Sequence, residues 1–196
     1  MLLDVRRGIL GGTFDPPHLA HLVAAEAAYR QLGLDVVVFI PAGEPWQKLG
    51  SGVSAGPHRL AMTELAVADV AYFQADDREV VRTGWSYTID TLETFPADDD
   101  LTVILGADAA LGLATWHRAE ELLDSARFAV VPRHGIDRND VDEVLAGVAV
   151  RWLDMPELDI SSTALRERLL QSRSVRFLVP AAVLRYINDH GLYREV

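Results

Sequence analysis

Val5-Arg6-Arg7-Gly8-Ile9-Leu10-Gly11-Gly12-Thr13-Phe14-Asp15-Pro16-Pro17-His18-Leu19-Ala20-His21 reads as a strand, a tight turn and the first turn of a helix. Val5 to Leu10 is the strand. Leu19 to Gln31 has helical composition, and Gly33 follows as a stop signal. The same alternation runs on. Val36 to Ile40, Val70 to Phe73, Leu101 to Leu105, Phe128 to Val131 and Val148 to Leu153 are short apolar runs. His58 to Ala68, Tyr87 to Phe95, Thr163 to Leu170 and Ala181 to His190 read as helices. The strands are near-continuous apolar runs, which suits burial on both faces of a parallel sheet. Strands alternating with helices imply right-handed crossovers. The expected fold is α/β: a Rossmann-like, doubly wound parallel sheet with helices on both faces. One domain spans 1–196, with a small C-terminal helical part over about 160–196.

The chain has 196 residues, enough for one sizeable core. It has no cysteine, which removes disulfides and thiolate metal sites. No apolar run reaches the roughly 18 residues of a membrane helix. Met1 to Leu10 carries Asp4 and reads as a strand, not a signal peptide. These features predict a cytoplasmic protein with no membrane partner. A formal net charge of −11 argues against nucleic acid as a partner. The same field repels any phosphate ligand, so phosphate binding needs concentrated local donors. Lys48 is the single lysine among 18 basic residues. Gly43 to Gly56 and Arg133 to Asn139 read as loops, and Asp98-Asp99-Asp100 as a solvated one.

Two segments point to phosphate chemistry. Gly11 and Gly12 allow a tight turn and close approach of backbone amides to an anion. Taken alone they fit an ordinary strand-to-helix turn equally well. His18 and His21 lie three apart at a helix start and so share a face. Far downstream, Ile160-Ser161-Ser162-Thr163-Ala164-Leu165-Arg166 opens a helix with hydroxyls and adds an arginine one turn in. Ser161 or Ser162 can cap that helix. Arg166 can also reach phosphate oxygens.

The string Gly11 to His21 resembles the GGxFDPxHxGH pattern of the HxGH nucleotidylyltransferases, with Ala20 replacing the usual glycine. Ile160 to Arg166 resembles their second phosphate motif, ISSTxIR. Three further stretches resemble nicotinate-mononucleotide adenylyltransferases. They are Pro41-Ala42-Gly43-Glu44-Pro45-Trp46-Gln47-Lys48, Trp85-Ser86-Tyr87-Thr88-Ile89-Asp90-Thr91-Leu92, and Leu105-Gly106-Ala107-Asp108 followed by Trp116. The ending, Val179-Pro180 through Gly191-Leu192-Tyr193, is similar as well, so the resemblance covers essentially the whole chain.

The resemblance implies joining of nicotinate mononucleotide and ATP to give deamido-NAD and pyrophosphate. Catalysis would fall to His18, His21, Lys48 and Arg166. ATP would meet Gly11, Gly12, Thr13, Phe14, His18, His21, Gly106, Asp108, Ile160, Ser161, Ser162 and Arg166. The mononucleotide would meet Thr13, Lys48, Thr88, Trp116 and His117. In that reading Trp116 stacks on the pyridine ring, while backbone amides of Thr88 and His117 hold its carboxylate. Trp116 as a core residue and Asp108 as a helix N-cap fit the sequence too. Mg²⁺ would come with ATP, held by phosphates and water, without a protein metal site. A homo-oligomer is allowed. A pantetheine-phosphate or nicotinamide-mononucleotide adenylyltransferase, or a non-catalytic nucleotide sensor, is the alternative.

Overall fold

A computed structural model describes residues 5–44 and 53–194. Six parallel strands form one sheet in the order β3-β2-β1-β4-β5-β6. They are β1 (Arg6–Gly12), β2 (Val36–Pro41), β3 (Phe73–Ala75), β4 (Asp100–Gly106), β5 (Arg127–Val131) and β6 (Val150–Trp152). The chain builds outward from β1 in one direction, then returns to β4 and builds in the other. The switch point therefore lies between β1 and β4, and ligands bind beyond the carboxyl ends of such strands.

Neighbouring side chains on one strand face opposite ways, and both faces are covered. Ile9, Val36, Val38, Ile40, Val103, Leu105, Phe128 and Val130 pack on one side. They meet Ile89 and Leu92 of α4 (Thr88–Leu92), Ala107 and Ala110 of α5 (Ala107–Leu111), and Leu122 of α6 (Ala119–Ser125). Val141 of α7 (Arg138–Val144) closes that face. Leu10, Val37, Phe39, Ile104 and Ala129 pack on the other side, against Ala25 and Ala28 of α1 (Leu19–Leu32) and Val67 of α2 (Gly56–Val67). The unbroken apolar runs of the sequence are the consequence of this two-sided burial. A third cluster joins Met62 and Ala66 of α2 to Leu165 of α8 (Ser162–Leu170) and to Val183 and Ile187 of α9 (Ala181–Asp189). Among the described residues no helix is long and apolar enough to cross a membrane.

The structure corrects several boundaries. Val70 to Tyr72 form a turn, bonded from Val70 to the Val67 carbonyl and from Phe73 to the Val70 carbonyl, each at 3.0 Å. The strand starts only at Phe73, which pairs with Val37. The helix expected over Tyr87 to Phe95 spans only Thr88 to Leu92, because the chain then tightens into i to i+3 bonds from Thr94 and Phe95. Asp98 to Asp100 is not a solvated loop throughout. The Asp99 side chain is 5% exposed and bonded to Arg7, and Asp100 begins β4 and pairs with Arg127 at 2.9 Å. Arg133 to Asn139 is not loop to its end, since α7 begins at Arg138, capped by Asp137 accepting from the Asn139 amide at 2.9 Å. The short helices α5, α6, α7 and α3 (Arg78–Val81) have no counterpart in the sequence reading. Elements of four to seven residues do not complete a readable helical period.

Candidate active site

The turn after β1 sits at the switch point. Thr13 leads into Phe14, which is buried with φ of +50°. A bulky residue seldom takes this left-handed conformation, and it persists only where the surroundings enforce it. Asp15-Pro16 is a cis peptide. His18 is the N-cap of α1 and His21 its third residue. The expectation that they share a face is met: their rings stack with centroids 3.7 Å apart. Phe14 meets the His21 ring edge-on at 4.9 Å. His21 Nδ1 accepts from the His18 amide at 3.2 Å. A neutral imidazole accepting at Nδ1 carries its proton on Nε2.

His18 is 5% exposed, and its Nδ1 has no hydrogen-bond partner among the described residues. Burial, aided by the charge of Arg133, pushes its pKa from 6.5 down to about 4. In the free protein His18 is thus an uncharged donor near neutrality, not a cation. The unfolded chain takes up this proton near 6.5 and the folded chain only near 4. Stability owed to His18 is therefore intact above pH 6.5 and falls as pH drops to 4, by about 3 kcal/mol at most. Urea unfolding of wild type and His18→Ala at pH 7 and pH 4 checks this. The stability difference between the two should move against wild type at the lower pH. A pH-independent difference would refute it.

The serine-rich helix docks onto this turn. Ser161 is the N-cap of α8, its Oγ accepting from the Ala164 amide at 3.2 Å. Ser162 Oγ donates to the Pro16 carbonyl at 2.9 Å. Arg166 donates to the Asp15 carbonyl at 2.9 Å and lies 3.9 Å from its carboxylate. The two motifs, far apart in sequence, are one unit in space. Gly11 is open on its solvent side, with nothing near the position a Cβ would take. Gly12 closes β1, and Ile160 immediately precedes the Ser161 cap.

Beyond β4, Gly106 is the N-cap of α5. Asp108 is not the N-cap that the sequence allowed; it lies in the first turn and pairs with Arg133 at 3.4 Å. Sequence reading did not single out Arg133. Its signal was position: an arginine two residues after the β5 end, on the ligand side of a parallel sheet. Trp116 is half-buried against the main core cluster, so packing accounts for part of its surface. His117 is exposed and stacks on Tyr87 at 4.2 Å. Thr88 is the first residue of α4, so its amide has no intrahelical partner. Lys48 and Trp46 lie outside the described residues.

Gly43 follows β2, and its amide donates to Ser86 Oγ at 2.9 Å. A Cβ there would stand 1.9 Å from the Glu79 backbone oxygen. Gly43→Ala is expected to cost about 3 kcal/mol, lowering the melting temperature by about 6–12 °C. Thermal unfolding checks it, and an unchanged midpoint would show that the Glu79 segment yields freely.

The chain is a nucleotidylyltransferase by family: the cytidylyltransferase-like family model matches residues 9–168. The chain belongs more narrowly to the nicotinate-nucleotide adenylyltransferases. It is 42% identical to a Dehalococcoides mccartyi protein named probable nicotinate-nucleotide adenylyltransferase, across 99% of this chain and 100% of that one. A Roseiflexus protein of the same name is 45% identical, across 95% of this chain and 97% of its own. The fold matches that of Plasmodium falciparum nicotinic acid mononucleotide adenylyltransferase complexed with NaAD. There the TM-score is 0.82 at 18% identity, covering 97% of this chain and 98% of that one.

Proposed function

We propose that this chain transfers the adenylyl group of ATP to nicotinate mononucleotide, giving deamido-NAD and pyrophosphate. The observation that carries the reading is the stacked His18–His21 pair at the switch point, with the buried His18 Nδ1 unpartnered among the described residues and the α8 motif docked alongside. A mononucleotide phosphate oxygen attacks the ATP α-phosphorus in line. The new oxygen–phosphorus bond forms as the bond to the β-phosphate oxygen breaks, and pyrophosphate leaves with the electron pair. The attacking phosphate is anionic near neutral pH, so no general base is needed. Positioning and charge stabilisation supply the acceleration.

His18 and His21 donate to the triphosphate from the α1 N-terminus, whose amides add their own partial charge. Arg166 and the amides of the Ser161–Ser162 turn approach from α8. Lys48 supplies a further cation. Glycines 11 and 12, Thr13 and Phe14 lend backbone, and Gly106 and Asp108 flank the adenosine ribose. Trp116 offers an indole face to the pyridine, with the Thr88 and His117 amides at its carboxylate. Among the described residues no three histidine or acidic side chains cluster closely enough to hold a metal ion. Mg²⁺ enters as part of the MgATP substrate, bound by phosphates and water. The cysteine-free composition suits a cytoplasmic setting.

The deciding assay offers ATP with nicotinate mononucleotide, nicotinamide mononucleotide or pantetheine phosphate in parallel and follows pyrophosphate. Release dependent on nicotinate mononucleotide is expected. ATP binding without release under any acceptor would make the chain a sensor and overturn the proposal.

A further inference from the structure

A buried arginine outside the phosphate motifs ties the site together. Arg59, in the first turns of α2, is 1% exposed. Its Nε donates to the Ser54 carbonyl at 2.9 Å, Nη1 to the Thr13 carbonyl at 3.0 Å and Nη2 to the Gly43 carbonyl at 2.8 Å. One guanidinium thus joins the turn after β1, the residue just past β2 and the lead into α2. The fork geometry of arginine makes this possible; a lysine ammonium has no equivalent span. Close by, the fully buried Asp15 carboxylate accepts from the Ser54 amide at 3.1 Å and from the Tyr193 hydroxyl at 2.5 Å. Asp15, Tyr193 and Glu79 favour the charge on Arg59 against the burial that opposes it.

A buried charge of this kind is a poor device for stability alone, since apolar residues of similar volume often stabilise as well or better. What it specifies is geometry. Thr13 immediately precedes Phe14, whose left-handed backbone must be held by its surroundings. We infer that Arg59 is a positioning residue for adenylyl transfer: by fixing the Thr13 carbonyl it holds the β1–α1 turn in the form that presents its amides and His21 to phosphate.

The inference rests on the proposed reaction only through His21, and the His21→Ala single variant tests that reading separately. The experiment is a double-mutant cycle in kcat with Arg59→Lys, His21→Ala and the double variant. Folding is checked by near-ultraviolet circular dichroism. Arg59→Lys is expected to fold and to lower kcat by about 10²-fold, the scale of a misplaced reacting geometry. In the His21→Ala background the same change should cost much less, because residues acting as a unit are non-additive. A role confined to stability would multiply independently of His21. Full multiplicativity, or wild-type kcat in Arg59→Lys, overturns the inference. If Arg59→Lys does not fold, Arg59→Gln enters the same cycle. If neither folds, Arg59 serves folding alone and the inference is likewise overturned.

Discussion

His21→Ala is expected to lower kcat by about 10²–10³-fold while leaving the fold intact, a loss of roughly 3–4 kcal/mol of transition-state stabilisation. His21 Nδ1 accepts from the His18 amide, so a neutral His21 carries its proton on Nε2. The side chain is only half-buried, and its removal opens no large cavity in the core. KM for ATP should change far less than kcat, because the charge that His21 meets grows as pyrophosphate departs. Near-wild-type turnover with native circular dichroism would remove His21 from the phosphate machinery. Turnover lost together with native circular dichroism would point to the cap of α1 instead.

Nicotinate mononucleotide should be used at least about 10²-fold more efficiently than nicotinamide mononucleotide, read as kcat/KM. Two backbone amides facing a carboxylate make hydrogen bonds to a charged group, worth about 1.5–3 kcal/mol each. A carboxamide must turn its NH₂ toward one of those amides and lose that bond. The His117 ring stacks on Tyr87, the residue before Thr88. His117→Ala, which keeps the amide but drops the ring, should therefore erode the preference without abolishing turnover. Equal efficiency of the two substrates in the wild type would remove the paired-amide account.

Much of this was legible in the linear chain. The β1 run and its glycines, the histidine spacing at the α1 start and the serine-rich start of α8 are local patterns, and their local chemistry follows from residue type. Paired serines at a helix start announce a cap but not which serine takes it. Only the fold assigns Ser161 to the cap and Ser162 to the Pro16 carbonyl. Arg133 and Arg59 were not legible as site residues. Arg133 pairs with Asp108, 25 residues away, and Arg59 reaches Thr13, 46 residues away, and neither belongs to a local pattern. The turn at Val70 to Tyr72 was hidden for a related reason: apolar residues covering a sheet edge look like a strand until pairing decides.

The sequence by itself determined the α/β class, the two-sided burial of the strands and the two motifs at the starts of α1 and α8, because hydrophobic period, turn residues and helix caps are short-range properties. The tertiary structure alone decided the strand order, and with it the switch point between β1 and β4 where those motifs meet. It also decided the protonation of His18. An imidazole titrating near 6.5 in water becomes a neutral donor only when burial and the Arg133 charge oppose its proton, and both come from residues far along the chain.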